Sequence, residues 1–241
     1  MPVEPVPDAC NAPTSGGSQI SVIIPTFMEE ACIQEAVRSA LQVADDVVVV
    51  DGGSGDRTCA AAAHAGARVV LSKAGRGTQL DVGARAAKGN VLLFLHADAR
   101  LPVGAGEAIE QALRDPAVIA GNFRLLFTPR SAAATVFSAA NHWRRLWLKI
   151  YYGDSAIFVR REIYEQLGGI RPLPLFEDYD FVRRLERFGR TSYLSDHVVT
   201  ASARRFANRP WRTLALWTFL QVLYSLGVNP ERLSRFYVAL R

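Results

Sequence analysis

Residues 90–101, NVLLFLHADARL, put an imidazole and a carboxylate directly after an apolar run. The hard oxygens of Asp98, beside the single imidazole of His96, suit Mg²⁺ or Mn²⁺. A carboxylate next to a buried run is costly to desolvate unless it has a cation or hydrogen-bond partner. A plainer role stays open, because Asp98 would also serve as a turn or N-cap residue ahead of Leu101-Pro102. A second group, Phe176-Glu177-Asp178-Tyr179-Asp180, gathers three carboxylates at a helix start. The helix dipole favours any one of them there by ~0.3–1 kcal/mol. Three together exceed what capping needs, and like charges that close raise at least one pKa if buried, a state suited to a general base. Lys73 and Arg76, interleaved with Gly75 and Gly77 ahead of a helix, form either an anion site or a solvated basic turn. In Asp51-Gly52-Gly53-Ser54-Gly55-Asp56 the glycines let backbone amides approach a ligand, while Ser54 or Asp56 can cap the following helix. Many sheet-to-helix turns share that look and only turn.

These groups need a scaffold that brings them together. An apolar run without alternation reads as a strand buried on both faces, as in parallel sheets, and open α/β sheets bind ligands at their carboxyl edge. Residues 20–25, ISVIIP, give a first such strand, followed by a loop at 26–30 and a helix over 31–43 spaced by Ile33, Val37, Ala40 and Leu41. A β-branched strand at 47–50 then ends at Asp51. The unit is βαβ, its crossover is right-handed, and Glu29 and Asp51 are expected as neighbours. Further on the pattern predicts helices over 57–65, 78–87, 104–113, 132–150 and 161–167, with strands over 67–71, 90–95 and 117–128 and a turn and strand over 153–159. A two-proline loop at 170–175, able to move, precedes the acidic helix; the segments 190–194 and 198–205 follow, then two apolar helices split near Gly227-Val228-Asn229-Pro230.

The composition, 49% hydrophobic and 21% charged over 241 residues with net charge +5, is that of an ordinary globular protein. Arginine pairs at 144–145, 160–161, 183–184 and 204–205 suit phosphates, and equally a solvated helix face. Cys10, Cys32 and Cys59 show neither disulfide nor zinc spacing, which fits a reducing cytoplasm. Residues 1–19 lack a basic and an apolar region and read as a disordered tail rather than a signal peptide. No stretch reaches the ~20 apolar residues of a spanning helix. Residues 213–226 are apolar all round, and core, a dimer contact or an in-plane membrane helix flanked by Arg209 and Arg212 are all open.

Five motifs together resemble a known family: VIIPTFMEE (22–30), VVVVDGGSGDRT (47–58), AGRGTQLDVGA (74–84), LLFLHADARLP (92–102) and FEDYDFVRRL (176–185). From residue 21 to about 241 the chain is similar to glycosyltransferase family 2 proteins of the GT-A fold. Within them it resembles the small bacterial branch called radical-SAM/seleno-domain-associated transferase 2. The resemblance implies a mostly parallel, Rossmann-like α/β domain over 20–206, with C-terminal helices over 207–241. It implies a hexosyl-transferring enzyme using a nucleotide-diphosphate-sugar donor. Pro25, Thr26 and Glu29 would line the nucleoside pocket, Asp51 would accept a hydrogen bond from the base, and Arg76 would contact the diphosphate. Asp98 would hold the divalent metal, Mg²⁺ or Mn²⁺. Asp178, with Glu177 beside it, would take the acceptor proton in a direct, inverting displacement. The family's usual Asp-x-Asp is His96-Ala97-Asp98 here, and His96 replaces the first carboxylate only if neutral. Arg204 and Arg205 match no motif and are expected near the diphosphate or an anionic acceptor; His197 is either a further metal ligand or structural. A nucleotidyltransferase is the nearest rival, though its basic loop would follow the first strand, where this chain has residues 26–30. A non-catalytic basic binding protein is the other, and it leaves Asp51, Asp98 and Glu177-Asp178 without a role. The expected partners are the nucleotide-sugar and an acceptor of lipid-like character, not nucleic acid, with peripheral membrane contact and a homodimer open. The expected location is the cytoplasm, extending to the inner face of the cell membrane.

Overall fold

The computed structural model describes residues 19–240, so most of the expected tail lies outside the described residues. The first half alternates strands and helices: β1 (Ile20–Thr26), α1 (Ile33–Leu41), β2 (Asp46–Asp51), α2 (Thr58–His64), β3 (Arg68–Leu71), α3 (Arg76–Ala86) and β4 (Val91–Phe94). A two-residue strand β5 (Ala99–Arg100) and helix α4 (Ala105–Leu113) follow. Then come β6 (Val118–Thr128), α5 (Ala132–Leu148), β7 (Ile157–Arg160), α6 (Arg161–Gln166), α7 (Glu177–Phe188) and β8 (Arg190–Ser202), with α8 (Pro210–Ser225) and α9 (Pro230–Leu240) last. The strands form one sheet in the order β3-β2-β1-β4-β7-β6-β8-β5. Pairings β1–β2, β1–β4, β2–β3 and β6–β8 are parallel, and only β7 and β5 run against their neighbours. The expected mostly parallel sheet flanked by helices is what forms.

Alternate residues of each strand feed two cores. Val22, Ile24, Val49 and Leu93 pack with Ile33, Val37, Ile109 and Phe137 on one face. Ile23, Val48, Leu92 and Phe94 pack with Leu80, Ile163, Phe181 and Leu185 on the other. Burial on both faces is why these strands read as unbroken apolar runs.

Some boundaries differ from expectation. The segments 190–194 and 198–205, set apart in the sequence, are joined in one strand, β8, whose register against β6 jumps from Phe123↔Leu194 to Arg124↔Val198. The polar Ser195-Asp196-His197 bulges out there, and the bulge read as a break. The strand then stops at Ser202, and Ala203–Arg205 form a 3-10 turn. Helix α3 starts at Arg76 rather than Thr78. The loop at 170–175 lies against α3: a Cβ on Gly77 would come within 2.4 Å of the Arg171 carbonyl, so only glycine permits this approach.

Three of the arginine pairs serve the fold. Arg161 donates to the carbonyls of Ala84, Ala87 and Gly89, which ends α3, and Arg160 to those of Leu113 and Val118. Arg184 holds the Leu167 and Gly169 carbonyls. Arg145 is buried with Asn122, Thr191 and Glu186. Helix α8 packs one side on the domain: Trp217 against Phe137 and Phe206, Tyr224 against Phe176 and Tyr179, and Gln221 accepting from the Tyr152 hydroxyl at 2.7 Å. Among the described residues no helix is long and apolar enough to cross a membrane.

Candidate active site

Strand register fixes what meets at the carboxyl edge. Thr26 pairs with Asp51, and Phe94, two residues before His96, pairs with Ile157. Thr128 pairs with Ser202. The ends of β1, β2, β4, β6 and β8 and the turn before β7 therefore share one rim. The N-termini of α3 and α7 meet there through Arg76, which bonds to Glu177 by Nε and to Asp178 Oδ2 by Nη2 at 3.4 Å.

Asp178 is held from two further directions. Its Oδ2 accepts from the Gly153 amide at 2.9 Å and its Oδ1 from the Tyr179 amide at 2.8 Å. A Cβ on Gly153 would lie 2.9 Å from His96 Nε2 and 3.3 Å from Asp178 Oδ2, so this turn must be glycine for imidazole and carboxylate to close around it. Burial, then the charges of Arg76 and Arg205, hold the His96 pKa well below its ordinary value. The ring is neutral at physiological pH, the form in which it can substitute for a carboxylate acceptor. Burial raises the Glu177 pKa, opposed by Arg76 and assisted by Asp178. Arg76 is held protonated because Glu177 and Asp178 outweigh the opposing effect of burial.

One acid in this group escaped the sequence reading. Asp154, half-buried beside Gly153, is pushed up to about 6 by burial and by Asp178, against Arg144, Arg76 and Arg205. Its Oδ1 has no hydrogen-bond partner. The backbone around both acids is unusual: Phe176 has φ 63° just before Glu177, and Ala156 has φ 51° two residues past Asp154. Non-glycine residues in that region cost of order 1 kcal/mol or more each and gather at functional sites. The sequence signal was a polar Gly-Asp-Ser turn abutting an apolar strand, the same pattern that marked Asp51 and Asp98.

The second arginine clamp involves Arg204, which bonds to Glu29 and reaches Asp98 Oδ2 at 3.3 Å. The other Glu29 oxygen, Oε2, is buried without a partner, as is Thr26 Oγ1. A pocket of about 230 Å³ opens beside Asp98, lined also by Cys32, Glu35, Arg100, Thr128 and Ser202. Glu29 and Asp51 sit on touching loops, the Met28 amide donating to Ser54 Oγ at 2.8 Å. Their carboxylates nonetheless do different things. Asp51 turns into its own loop and accepts from the Gly53 and Ser54 amides, both at 2.8 Å. Burial opposes its charge, yet the Ser54 and Gly53 bonds hold its pKa below the ordinary value. Pro25 lies within β1, opposite Val50. Gln79, buried on α3, donates to the carbonyls of Thr26 and Val50 at 2.8 Å each and so ties α3 to the ends of β1 and β2. Lys73 is exposed, and His197 lies 3.9 Å from a Cβ built on Gly104.

No group of three His, Cys, Asp or Glu side chains with metal-holding geometry occurs among the described residues. Mg²⁺ commonly takes one or two protein carboxylates and fills its shell with substrate phosphates and water. Asp98, whose one close cation is 3.3 Å away, fits that requirement.

The model of the family described as "Glycosyl transferase family 2" matches residues 21–168. The chain belongs to that family. The family match takes in Thr26, Glu29, Asp51, Arg76, His96, Asp98 and Asp154, and ends ahead of Glu177-Asp178 and Arg204. Comparison with curated proteins gave no match. Among solved structures, S. aureus TarS 1-349 superposes with a TM-score of 0.64 at 18% identity, over 76% of this chain and 60% of that one. The chain thus spans about three-fifths of that relative. TarS 1-349 in complex with UDP-GlcNAc gives 0.62 at 20% identity over 76% and 58%. Glucosyl-3-phosphoglycerate synthase from Mycobacterium tuberculosis, in complex with Mn2+, uridine-diphosphate-glucose and phosphoglyceric acid, gives 0.61 at 21% identity over 88% and 81%. At these identities the likeness is one of fold, and the shared fold is GT-A.

Proposed function

We propose that this chain transfers a sugar from a nucleotide-diphosphate-sugar to an acceptor hydroxyl or carboxyl, with inversion at the anomeric carbon. The observation that carries the reading is the convergence at one sheet rim of two guanidiniums, each shared between two carboxylates: Arg76 with Glu177 and Asp178, Arg204 with Glu29 and Asp98. Family membership supports glycosyl transfer over the nucleotidyltransferase and binding-protein alternatives. The motifs further favour the radical-SAM/seleno-domain-associated branch, with residues 20–206 as the transferase domain.

In this reading the nucleoside lies along Pro25, Thr26 and Asp51, at the ends of β1 and β2. The diphosphate lies between Arg76 and Asp98. A divalent cation held by Asp98 would supply charge neutralisation to the departing diphosphate. Arg76 adds a fixed positive charge on the other side. Asp178 takes the proton of the incoming nucleophile, with Gly153 and Tyr179 amides fixing its carboxylate. Glu177, bonded to Arg76 with only 3% of its side chain exposed, acts by positioning that guanidinium. His96 in its neutral form offers a hydrogen bond to the donor.

The test is a thermal-shift screen of nucleotide-sugars with and without Mn²⁺, followed by product analysis. UDP-sugars are the first to try because the two superposed relatives were solved with them. A ligand at about a hundred times its Kd stabilises by about 3 kcal/mol. Release of free nucleoside diphosphate supports the proposal, whereas pyrophosphate release, or no response to any nucleotide-sugar, overturns it.

A further inference from the structure

Helix α8 has two apolar faces, and only one is used by the domain. Trp217, Leu220 and Tyr224 point inward, as the ring contacts to Phe137, Phe176, Phe206 and Tyr179 require. Trp211, Phe219, Val222 and Leu226 lie on the opposite side at helical spacing and are 60%, 57%, 51% and 76% exposed. Helix α5, which α8 touches through Phe137, also carries an outer apolar stripe: Val136, Trp143 and Trp147 follow each other at i, i+7 and i+11 and are exposed. Large apolar residues lined up on the outer faces of two helices that touch each other mark an interaction surface rather than scattered exposure.

The charges around this surface say what covers it. Helix α8 contains no Asp or Glu. Arg209 and Arg212 stand exposed at its start, Arg232 and Arg235 on α9, and Lys149 just past α5, against the single acid Glu231 of α9. Pairing of this face with its own copy would set arginines against arginines with almost nothing to neutralise them. A surface of anionic headgroups over hydrocarbon matches both the stripe and its frame. At 16 residues α8 is about 24 Å long, too short to span a bilayer but suited to lying in its plane. Tryptophans at the rim of such a contact prefer the headgroup layer.

We infer that the outer faces of α8 and α5 form a docking surface for an anionic lipid bilayer, with α8 lying in the membrane plane. The inner face of α8 meets Tyr152 and Phe176, next to the Asp154 and Asp178 turns, so docking would bring the candidate site close to the headgroups.

The test is co-sedimentation of the full chain with vesicles of phosphatidylcholine containing phosphatidylglycerol, compared with phosphatidylcholine alone. Expected is binding to the anionic vesicles that weakens with salt. It should fall by on the order of tenfold in the triple variant Phe219→Ser, Val222→Ser, Leu226→Ser, and in Arg209→Gln with Arg212→Gln. With brominated lipid, fluorescence quenching identifies Trp143, Trp147 and Trp211 as the tryptophans near hydrocarbon when each is replaced by Phe in turn, while Trp217→Phe leaves quenching unchanged. Absence of sedimentation with anionic vesicles, equal binding by the triple variant, or a vesicle-indifferent dimer that the triple variant dissociates would each overturn the inference. None of these readouts depends on catalysis, so the surface and the transferase reading stand or fall separately.

Discussion

Replacing Asp154 by Asn tests the electrostatics of the rim without touching the residues that bind or react. The carboxyl faces Asp178, Arg76, Arg144 and Arg205, and burial with the Asp178 charge pushes it up to about 6 from an ordinary 3.8. At about 1.4 kcal/mol per pH unit that difference corresponds to about 3 kcal/mol. Because the side chain is half-buried at the cleft wall, water screens part of it, and about 1–2 kcal/mol is the realistic figure. The sign follows from the direction. A carboxyl that holds its proton more tightly when folded stabilises the fold below its unfolded pKa, and that contribution is lost as pH rises through its folded pKa. Above about 6 the folded protein carries an unfavourable charge that the unfolded chain carries at no cost. Asn cannot ionise, so Asp154→Asn should be more stable than the parent by about 1–2 kcal/mol at pH 7.5, and by about a third of that or less at pH 4. Urea unfolding of both proteins at the two pH values measures it. A variant no more stable than the parent at pH 7.5, or a gain that does not change with pH, would refute the assigned repulsion.

Asp178→Asn should lower transfer by about 10²–10⁴-fold with donor affinity unchanged in a binding assay; equal loss of both would make Asp178 a binding residue. Arg204→Ala removes a cation from Asp98 and Glu29, so Mn²⁺ affinity of the donor-free protein should rise about two- to fivefold by calorimetry, the amount a partly exposed ion pair of up to ~1 kcal/mol allows. Unchanged Mn²⁺ affinity would detach Asp98 from the metal role. Arg145→Ala should cost about 3 kcal/mol or more in urea unfolding, because Glu186, 7% exposed, is left buried without its cation. A loss below about 1 kcal/mol would mean that the Arg145–Glu186 pair is solvated in solution.

Elements and rim were legible because parallel strands buried on both faces leave unbroken apolar runs, each ending in a polar residue at the same edge. Glu29, Asp51 and Asp98 were read this way, whereas Asp178 was read from the cluster of carboxylates at a helix start. Pairwise contacts were not legible, because sequence spacing carries no record of which distant residues meet. Arg76 and Glu177 are 101 positions apart, and Arg204 and Glu29 175. Arginine pairs show the limit most clearly. Phosphate binding or a solvated face were the two readings, yet Arg160, Arg161 and Arg184 cap backbone carbonyls, a role set by tertiary placement alone. Asp154 was missed since its turn is short and its acid lies among apolar neighbours, where a structural turn is the commoner meaning. Helix α8 reads as apolar all round because both the domain and the outward surface draw on it.

The two arginine clamps differ in burial, and this difference assigns them different parts when an anion arrives. Glu177 has 3% of its side chain exposed, so taking Arg76 away would leave a buried carboxylate unpaired, at a cost of about 3–5 kcal/mol. Arg76 therefore stays on Glu177. Its Nε and Nη2 engage the carboxylates, and Nη1 remains to meet a phosphate oxygen. Arg204 is 42% exposed and its partner Glu29 15%, so that contact opens at lower cost, while Asp98, 7% exposed, needs another cation once Arg204 leaves. The four carboxylates outnumber these two guanidiniums, and a diphosphate adds at least two more negative charges to the rim. Charges about 4 Å apart near a protein surface repel by about 4 kcal/mol per pair. In the proposed reading, release of Arg204 towards the phosphates would relieve one repulsion, and a divalent cation held by Asp98 would supply the charge to offset the other. In the proposed reading Arg76 would be the fixed half of the diphosphate site and Arg204 the exchangeable half, which is why only the Arg204 variant should tighten Mn²⁺ binding in the absence of donor.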